Sequence, residues 1–336
     1  MTAASASSIT VLGAGSWGTA LAVLLASNGV ATALWGRNPE RMGRMAAARC
    51  NERYLPGVGF PEHLAVEPDL ARALAAADDL LLAVPAAAFR EVLRALAPHR
   101  ASDQRVAWAT KGLEAGSHKL LHEVVAEELG GGVPRAVLSG PTFAREVAAG
   151  LPTAVTVAAD PPAFAEQLAA ALHSESFRVY TGTDLVGVQL GGAVKNVLAI
   201  AAGASDGLGF GANARAALIT RGLSELMRLG EAAGGRRETF MGLAGLGDLV
   251  LTCTDDQSRN RRAGLLLARG LSLAQTLERI GQVVEGVPAA REVMALAQEA
   301  GVELPIAEQT YRVLYEGIAP RDAVRALLSR EQKAER

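Results

Sequence analysis

The sequence predicts an α/β Rossmann-like N-terminal domain followed by an all-α C-terminal domain. Three observations predict it. Short continuous apolar runs alternate with helical patterns through the first half. A GxGxxG motif joins the first such run to the first helical stretch. From about Leu185 onward strand signals fade and long Ala/Leu-rich stretches take over. Continuous apolar strands separated by helices argue for a mostly parallel sheet covered on both faces.

The expected strands are Ile9–Gly13, Thr32–Gly36, Leu80–Val84, Val106–Thr110, Ala136–Ser139 and Thr153–Ala158, with a further one near Phe177–Tyr180. Helical patterns between them include Gly18–Ser27, Arg41–Arg49, Ala86–Leu96, Lys119–Leu129 and Pro162–Leu172. The later helices are read at Leu185–Ala202, Ala212–Ala233, Arg261–Arg269, Pro288–Glu299 and Ile306–Glu316. The division is placed at 1–185 for a dinucleotide-binding domain and 186–336 for a helical substrate-binding domain. The eight-residue lead is expected to be disordered, and the residues after Ser329 read as a solvated tail.

Composition excludes several classes. With 50% hydrophobic and 20% charged residues the chain can bury a sizeable core. A net charge of −2 leaves no basic excess to point to nucleic acid. Two cysteines, Cys50 and Cys253, are too few for a disulfide framework and fit a reduced, cytoplasmic setting. No CxxC or HExxH pattern suggests a metal. The N-terminus has no charged n-region, and no stretch of 18 uninterrupted apolar residues predicts an integral membrane segment. The histidines fall mostly in polar contexts, and none is given a catalytic role.

The glycine motif is Gly13-Ala14-Gly15-Ser16-Trp17-Gly18. Alone it is weak evidence, but here a strand precedes it and a helix follows. Gly13 allows the tight turn, Gly15 lets the backbone approach a pyrophosphate, and Gly18 lets the helix pack on the sheet. The helix N-terminus then turns unpaired N–H groups toward the phosphates. After the second strand an acid would bond the ribose 2′-OH of NAD. The sequence has Trp35-Gly36-Arg37-Asn38 instead. Arg37 can pair with a 2′-phosphate, so NADP is favoured, with NAD tolerated.

Only four of the 33 basic residues are lysines: Lys111, Lys119, Lys195 and Lys333. Arg-rich usage is a compositional bias, and it makes each retained Lys informative. Lys119 and Lys333 lie in polar stretches. Lys111 and Lys195 lie among small and apolar residues, where a charged amine is costly to bury. Unlike Arg, a desolvated Lys can exchange a proton near neutrality. Both are read as functional.

Asp248 lies alone among Gly and Leu and is a candidate partner for an ammonium group. Ser258 is a good N-cap, and Arg259 beside Ser258 and Asn260 at a helix start makes an anion site. Ser139-Gly140-Pro141-Thr142-Phe143-Ala144 follows a strand end, where ligands sit in open α/β sheets. Glu285 could accept from the nicotinamide amide or ribose. A β-hydroxyacid or ketopantoate-type reductase shares this plan and a catalytic Lys, but has no need of a phosphate site. A non-catalytic NADP-sensing module has no need of two isolated lysines.

Taken in order, GAGSWGTALA, ATKGLE, SGPTFA, KNVLAIAAG, GLAGLGDLVLTC, SRNRRAG and VVEGV strongly resemble the bacterial NAD(P)-dependent glycerol-3-phosphate dehydrogenases. The motifs span residues 9–288. The resemblance implies a cytoplasmic homodimer that interconverts dihydroxyacetone phosphate, a small phosphorylated substrate, and sn-glycerol 3-phosphate for phospholipid synthesis. It implies Lys195 as proton donor and acceptor, and Lys111 near both cofactor and substrate. Gly140 and Thr142 would contact substrate and Ala144 the cofactor. Asp248, Ser258, Arg259 and Asn260 would complete the substrate site, with Arg259 also near the cofactor. Ser16, Trp17, Arg37, Tyr54, Val283 and Glu285 would bind NADP. Pro288-Ala289 departs from the family pattern, where a hydroxyl-bearing residue is expected.

Overall fold

A computed structural model describes residues 8–331. Most of the N-terminal lead, and Lys333 in the tail, lie outside the described residues. Ten strands are present among the described residues: β1 Ile9–Leu12, β2 Thr32–Trp35, β3 Cys50–Asn51, β4 Leu55–Gly59, β5 Leu64–Val66, β6 Asp79–Leu82, β7 Arg105–Trp108, β8 Arg135–Ser139, β9 Thr153–Asp160 and β10 Phe177–Gly182. Eight form one sheet in the order β10-β9-β8-β7-β6-β1-β2-β5, and β3 pairs with β4 in a small hairpin. All pairings in the large sheet are parallel except β8 with β9.

The apolar runs explain the sheet. All four residues of β1 and of β6 are buried, as strands covered on both faces require. Helix Ser16–Ser27 buries every residue from Gly18 to Ala26. The chain leaves β1 for β2 on one side, and β6 flanks β1 on the other. This reversal of strand order opens a crevice beyond the carboxyl end of β1. The β3–β4 hairpin and β5 go beyond the strands read from sequence. Two or three residues give too short a pattern, and Pro56-Gly57 within β4 reads locally as a turn.

The chain divides into two compact units. One holds residues up to Glu114 together with Lys119–Gln189, and the other holds Ala115–His118 and the residues from Leu190 on. The sequence boundary at 185/186 falls at the start of helix Leu185–Gly207, whose first turn stays with the first unit. Residues 115–118 join the second unit because Glu292 holds them. Its Oε2 accepts from the Gly116 N–H at 3.1 Å and meets His118 Nδ1 at 2.5 Å. No sequence pattern announces that long-range capture.

In the second unit, helix Leu185–Gly207 is long and apolar enough to cross a membrane, with a mean hydropathy of 1.5, but 89% of that stretch is buried inside the protein. It is a core helix. Helix Arg259–Ala268 packs directly on it. A Cβ on Gly203 would overlap the Arg261 carbonyl, and one on Gly264 would overlap the Ile200 carbonyl. Glycine at both positions lets the backbones touch.

Helix Gly211–Ala232 contributes a buried acid, Glu225. Its carboxylate oxygens accept the Ile306 and Ala307 N–H groups at 2.7 and 3.2 Å, at the start of helix Pro305–Tyr311. Burial nevertheless pushes this carboxyl up to about 7, from an ordinary 4.5. Between those values the folded chain holds a proton that the unfolded chain has lost, so this group's contribution to stability falls as pH rises through the window. The Glu225→Gln variant, neutral at every pH, should therefore lose less stability relative to wild type at pH 8 than at pH 5. Thermal midpoints of the two proteins across that range check this; a penalty that stays constant or grows with pH would contradict it.

Candidate active site

In the first unit the glycine turn is built for close approach. Gly13 has φ +127°, and a Cβ there would lie 2.6 Å from the Ala83 carbonyl oxygen. A Cβ on Gly18 would overlap the Gly13 carbonyl, so the helix can start only with glycine at both places. At Gly15 a Cβ would meet nothing within 4 Å, so the turn faces open space there. Gly15 is the N-cap of helix Ser16–Ser27 and supplies no side-chain cap. The first-turn N–H groups, beginning at Ser16, are thus free of a side-chain acceptor. Trp17 Nε1 is buried and has no hydrogen-bond partner among the described residues. Uncapped N–H groups, open space and an orphaned donor fit a dinucleotide pyrophosphate.

Arg37 follows β2 and Gly36. Its side chain is 82% exposed and lies 3.9 Å from Glu91, a pairing too solvated to hold it firmly. Tyr54 is flanked by two further arginines that the motif reading missed. Arg41 and Arg53 each stack 5.4 Å from its ring centre, and Arg41 Nη1 donates to the Tyr54 hydroxyl at 3.3 Å. Their spacing of one residue before Tyr54 and one helix back could not be read without the fold.

Lys111, Gly140 and Thr142 come together. Lys111 Nζ donates to the Gly140 carbonyl at 3.3 Å, and Thr142 Oγ1 donates to the same oxygen at 3.2 Å. A Cβ on Gly140 would press against β9, 3.0 Å from the Ala154 carbonyl oxygen. Ala144 opens helix Ala144–Ala148 immediately after.

The second unit centres on Lys195, which is 6% exposed in helix Leu185–Gly207. Its Nζ donates to Asp248 Oδ1 at 2.5 Å and to Thr252 Oγ1 at 2.9 Å. Asp248, 1% exposed, opens helix Asp248–Thr254 after a π-helical turn, Leu243–Gly247. Thr252 stands one helical turn later and also donates to the Asp248 carbonyl at 2.6 Å. Sequence reasoning missed Thr252; the Asp-x-x-x-Thr spacing, which puts both on one helix face, was the available signal. Cys253 is buried beside them. Burial pushes its thiol up to about 12, so it stays protonated and acts as packing.

The neighbouring amides are interlocked. Asn260 Nδ2 donates to Asn196 Oδ1 at 2.8 Å, and Asn260 Oδ1 accepts the Gly286 N–H at 2.8 Å. Asn196 Nδ2 reaches Glu285 Oε2 at 3.5 Å, where Glu285 begins helix Gly286–Glu299. Val283 nearby is 53% exposed. Ser258 caps helix Arg259–Ala268, its Oγ accepting the Arg261 N–H at 3.2 Å. Arg259 is the first residue of that helix, and its guanidinium pairs with no acid among the described residues. Arg261, in contrast, is spent on structure: it binds Asp206 at 2.6 Å and the Cys253 carbonyl at 3.1 Å.

Known proteins place this chain. A family model for the NAD-dependent glycerol-3-phosphate dehydrogenase N-terminus matches residues 8–165, and one for the C-terminus matches residues 184–325. The glycerol-3-phosphate dehydrogenase (NAD(P)+) of Nitrosococcus oceani is 62% identical over 97% of this chain and 94% of its own length. That of Serratia proteamaculans is 58% identical over 98% and 97%. The solved glycerol-3-phosphate dehydrogenase of Coxiella burnetii superposes with a TM-score of 0.93 at 51% identity, covering 96% of this chain and 99% of that one. A ketopantoate reductase from Ralstonia eutropha shares the fold alone, with a TM-score of 0.61 at 16% identity. With both domain models matched and close relatives aligned along nearly their whole length, the chain belongs to the NAD-dependent glycerol-3-phosphate dehydrogenase family.

Proposed function

We propose that this protein reduces dihydroxyacetone phosphate to sn-glycerol 3-phosphate with NADPH or NADH, and that Lys195 supplies the proton. The observation that carries the reading is the Lys195 ammonium, buried on a core helix and held by Asp248 and Thr252. When bound, the nicotinamide cofactor supplies the hydride. As negative charge grows on the carbonyl oxygen, an N–H bond of Lys195 breaks and an O–H bond forms. Asp248 and Thr252 fix the amine in place, and a positive charge beside the carbonyl oxygen stabilises the developing alkoxide.

Arg259 is assigned to the substrate phosphate. Among the described residues it pairs with no acid, and it stands at a helix start, where a guanidinium can form charge-assisted, bidentate bonds. Ser258 and Asn260 set that helix start in place. The glycine turn with Ser16 and Trp17 is assigned to the pyrophosphate, and Arg37 with Tyr54 to the adenosine end. Lys111, Gly140, Thr142, Ala144, Val283 and Glu285 keep the cofactor and substrate contacts that the family resemblance implies. A homodimeric, cytoplasmic enzyme supplying phospholipid synthesis belongs to the same proposal.

Lys195→Met should lower kcat by about two to four orders of magnitude, the scale for a positioned acid. NADPH binding, followed by fluorescence titration, should survive, because the glycine turn is untouched. A variant within tenfold of wild type would remove Lys195 from proton transfer. Lys195→Arg should fail as well, since guanidinium keeps its proton.

Arg259→Ala should cost about 2–4 kcal/mol in kcat/KM for dihydroxyacetone phosphate. The loss should be much smaller for unphosphorylated dihydroxyacetone. Equal losses on the two substrates would place the phosphate elsewhere.

Replacing Arg37 with Asp should raise the KM for NADPH much more than that for NADH. Steady-state kinetics with both cofactors decide the point, and equal effects would show that Arg37 does not read the 2′-phosphate.

A further inference from the structure

A half-buried ionic cluster in the first unit takes no part in the contacts described above. Its centre is Arg90, on helix Phe89–Leu96, with a side chain only 21% exposed. The guanidinium grips Glu114 bidentately: Nε donates to Oε1 at 2.5 Å and Nη2 to Oε2 at 2.7 Å. Nη1 donates to Glu128 at 2.5 Å, and Nη2 also donates to Glu127 at 2.7 Å. Arg94 supports Glu128 from the far side at 3.0 Å, and Lys119 pairs with Glu127. Four of the five guanidinium N–H donors are thereby spent. A solvated ion pair contributes little, but a bidentate pair in a shielded network fixes geometry.

What the cluster fixes is the loop that carries Lys111. The loop leaves β7, and Thr110 Oγ1 is tied to the Val84 carbonyl at 2.8 Å. Lys111 Nζ reaches the Gly140 carbonyl. Gly112 follows with φ +123°, a conformation that only glycine adopts without strain. Leu113 is 3% exposed, and Glu114 then meets Arg90. The Glu114 N–H also donates to the Lys119 carbonyl at 3.0 Å, closing the loop on itself. Lys111 thus lies between the Thr110 tie and the Arg90–Glu114 pair, three residues from the latter.

We infer that Arg90 is a positioning residue for Lys111, acting through its bidentate pair with Glu114. This rests on the proposed contacts of Lys111 with substrate and cofactor. Arg90 itself touches neither substrate nor cofactor in this account, because its donors are committed to carboxylates. Its influence is therefore visible only through Lys111, and it disappears when Lys111 is gone.

The test is a double-mutant cycle read as kcat/KM for dihydroxyacetone phosphate with NADPH. Arg90→Met, Lys111→Met and the double variant are compared with wild type, with thermal midpoints and NADPH affinity recorded for each. Arg90→Met should lower kcat/KM about ten- to a hundredfold in the wild-type background, the scale of a slightly misplaced group. In the Lys111→Met background it should change it less than twofold. Arg90→Lys should restore only part of the loss, because an ammonium cannot form the fork. Equal fold losses in both backgrounds, or full activity of Arg90→Met, would overturn the inference. A fully active Lys111→Met variant would instead remove Lys111 from the site, and the inference with it. If Arg90→Met does not fold, Glu114→Gln carries the same cycle with the same expected pattern.

Discussion

The contact on which the second unit is organised is the buried pair of Lys195 with Asp248. Two charges at 6% and 1% exposure have lost most of their water, and each is tolerable only while the other stays in place. Their separation of 2.5 Å and the added Thr252 hydroxyl repay part of that desolvation. The surrounding backbone is packed to hold them. Helix Leu185–Gly207 cannot slide, because glycines let helix Arg259–Ala268 press against its carbonyls. The interlocked amides of Asn196 and Asn260 extend the same rigidity to the start of helix Gly286–Glu299. As the proposed proton donor, Lys195 must be aimed as well as charged, and this packing fixes its direction.

The first unit presents bare backbone at the end of β1. It does so with an uncapped helix N-terminus, a turn that tolerates no side chain at Gly13 or Gly18, and open space above Gly15. Basic side chains follow β2: Arg37 comes directly after Gly36, and Arg41 and Arg53 stack on Tyr54. Lysine and arginine take different parts in the proposal. In the proposed function Arg37 and Arg259 serve as permanent charges for anions, whereas a group that must give up a proton has to be Lys.

Much of this was legible in the sequence. The parallel sheet followed from apolar runs long enough to be buried on both faces, and the glycine turn from its strand-and-helix context. The scarcity of lysine singled out Lys195, and the isolation of Asp248 among glycine and leucine suggested the partner it has. What stayed hidden depended on contacts far apart in sequence. Thr252 gained meaning only when its helix was set against Lys195. Arg41 and Arg53 gained theirs only when both stacked on Tyr54. The short strands β3 to β5 carry too few residues for a period to be counted. Residues 115–118 belong to the second unit only because Glu292, far along the chain, captures them. Glu114, inside a quoted motif, revealed its partner Arg90 only in the fold.

The central claim is that this protein reduces a phosphorylated ketone with a nicotinamide cofactor. The most direct measurement is NADPH oxidation at 340 nm by the purified protein, with dihydroxyacetone phosphate and ketopantoate offered separately. The account predicts rapid oxidation with dihydroxyacetone phosphate, one cofactor consumed per glycerol 3-phosphate formed, and negligible turnover of ketopantoate. No oxidation with dihydroxyacetone phosphate, or faster oxidation with ketopantoate, would contradict it.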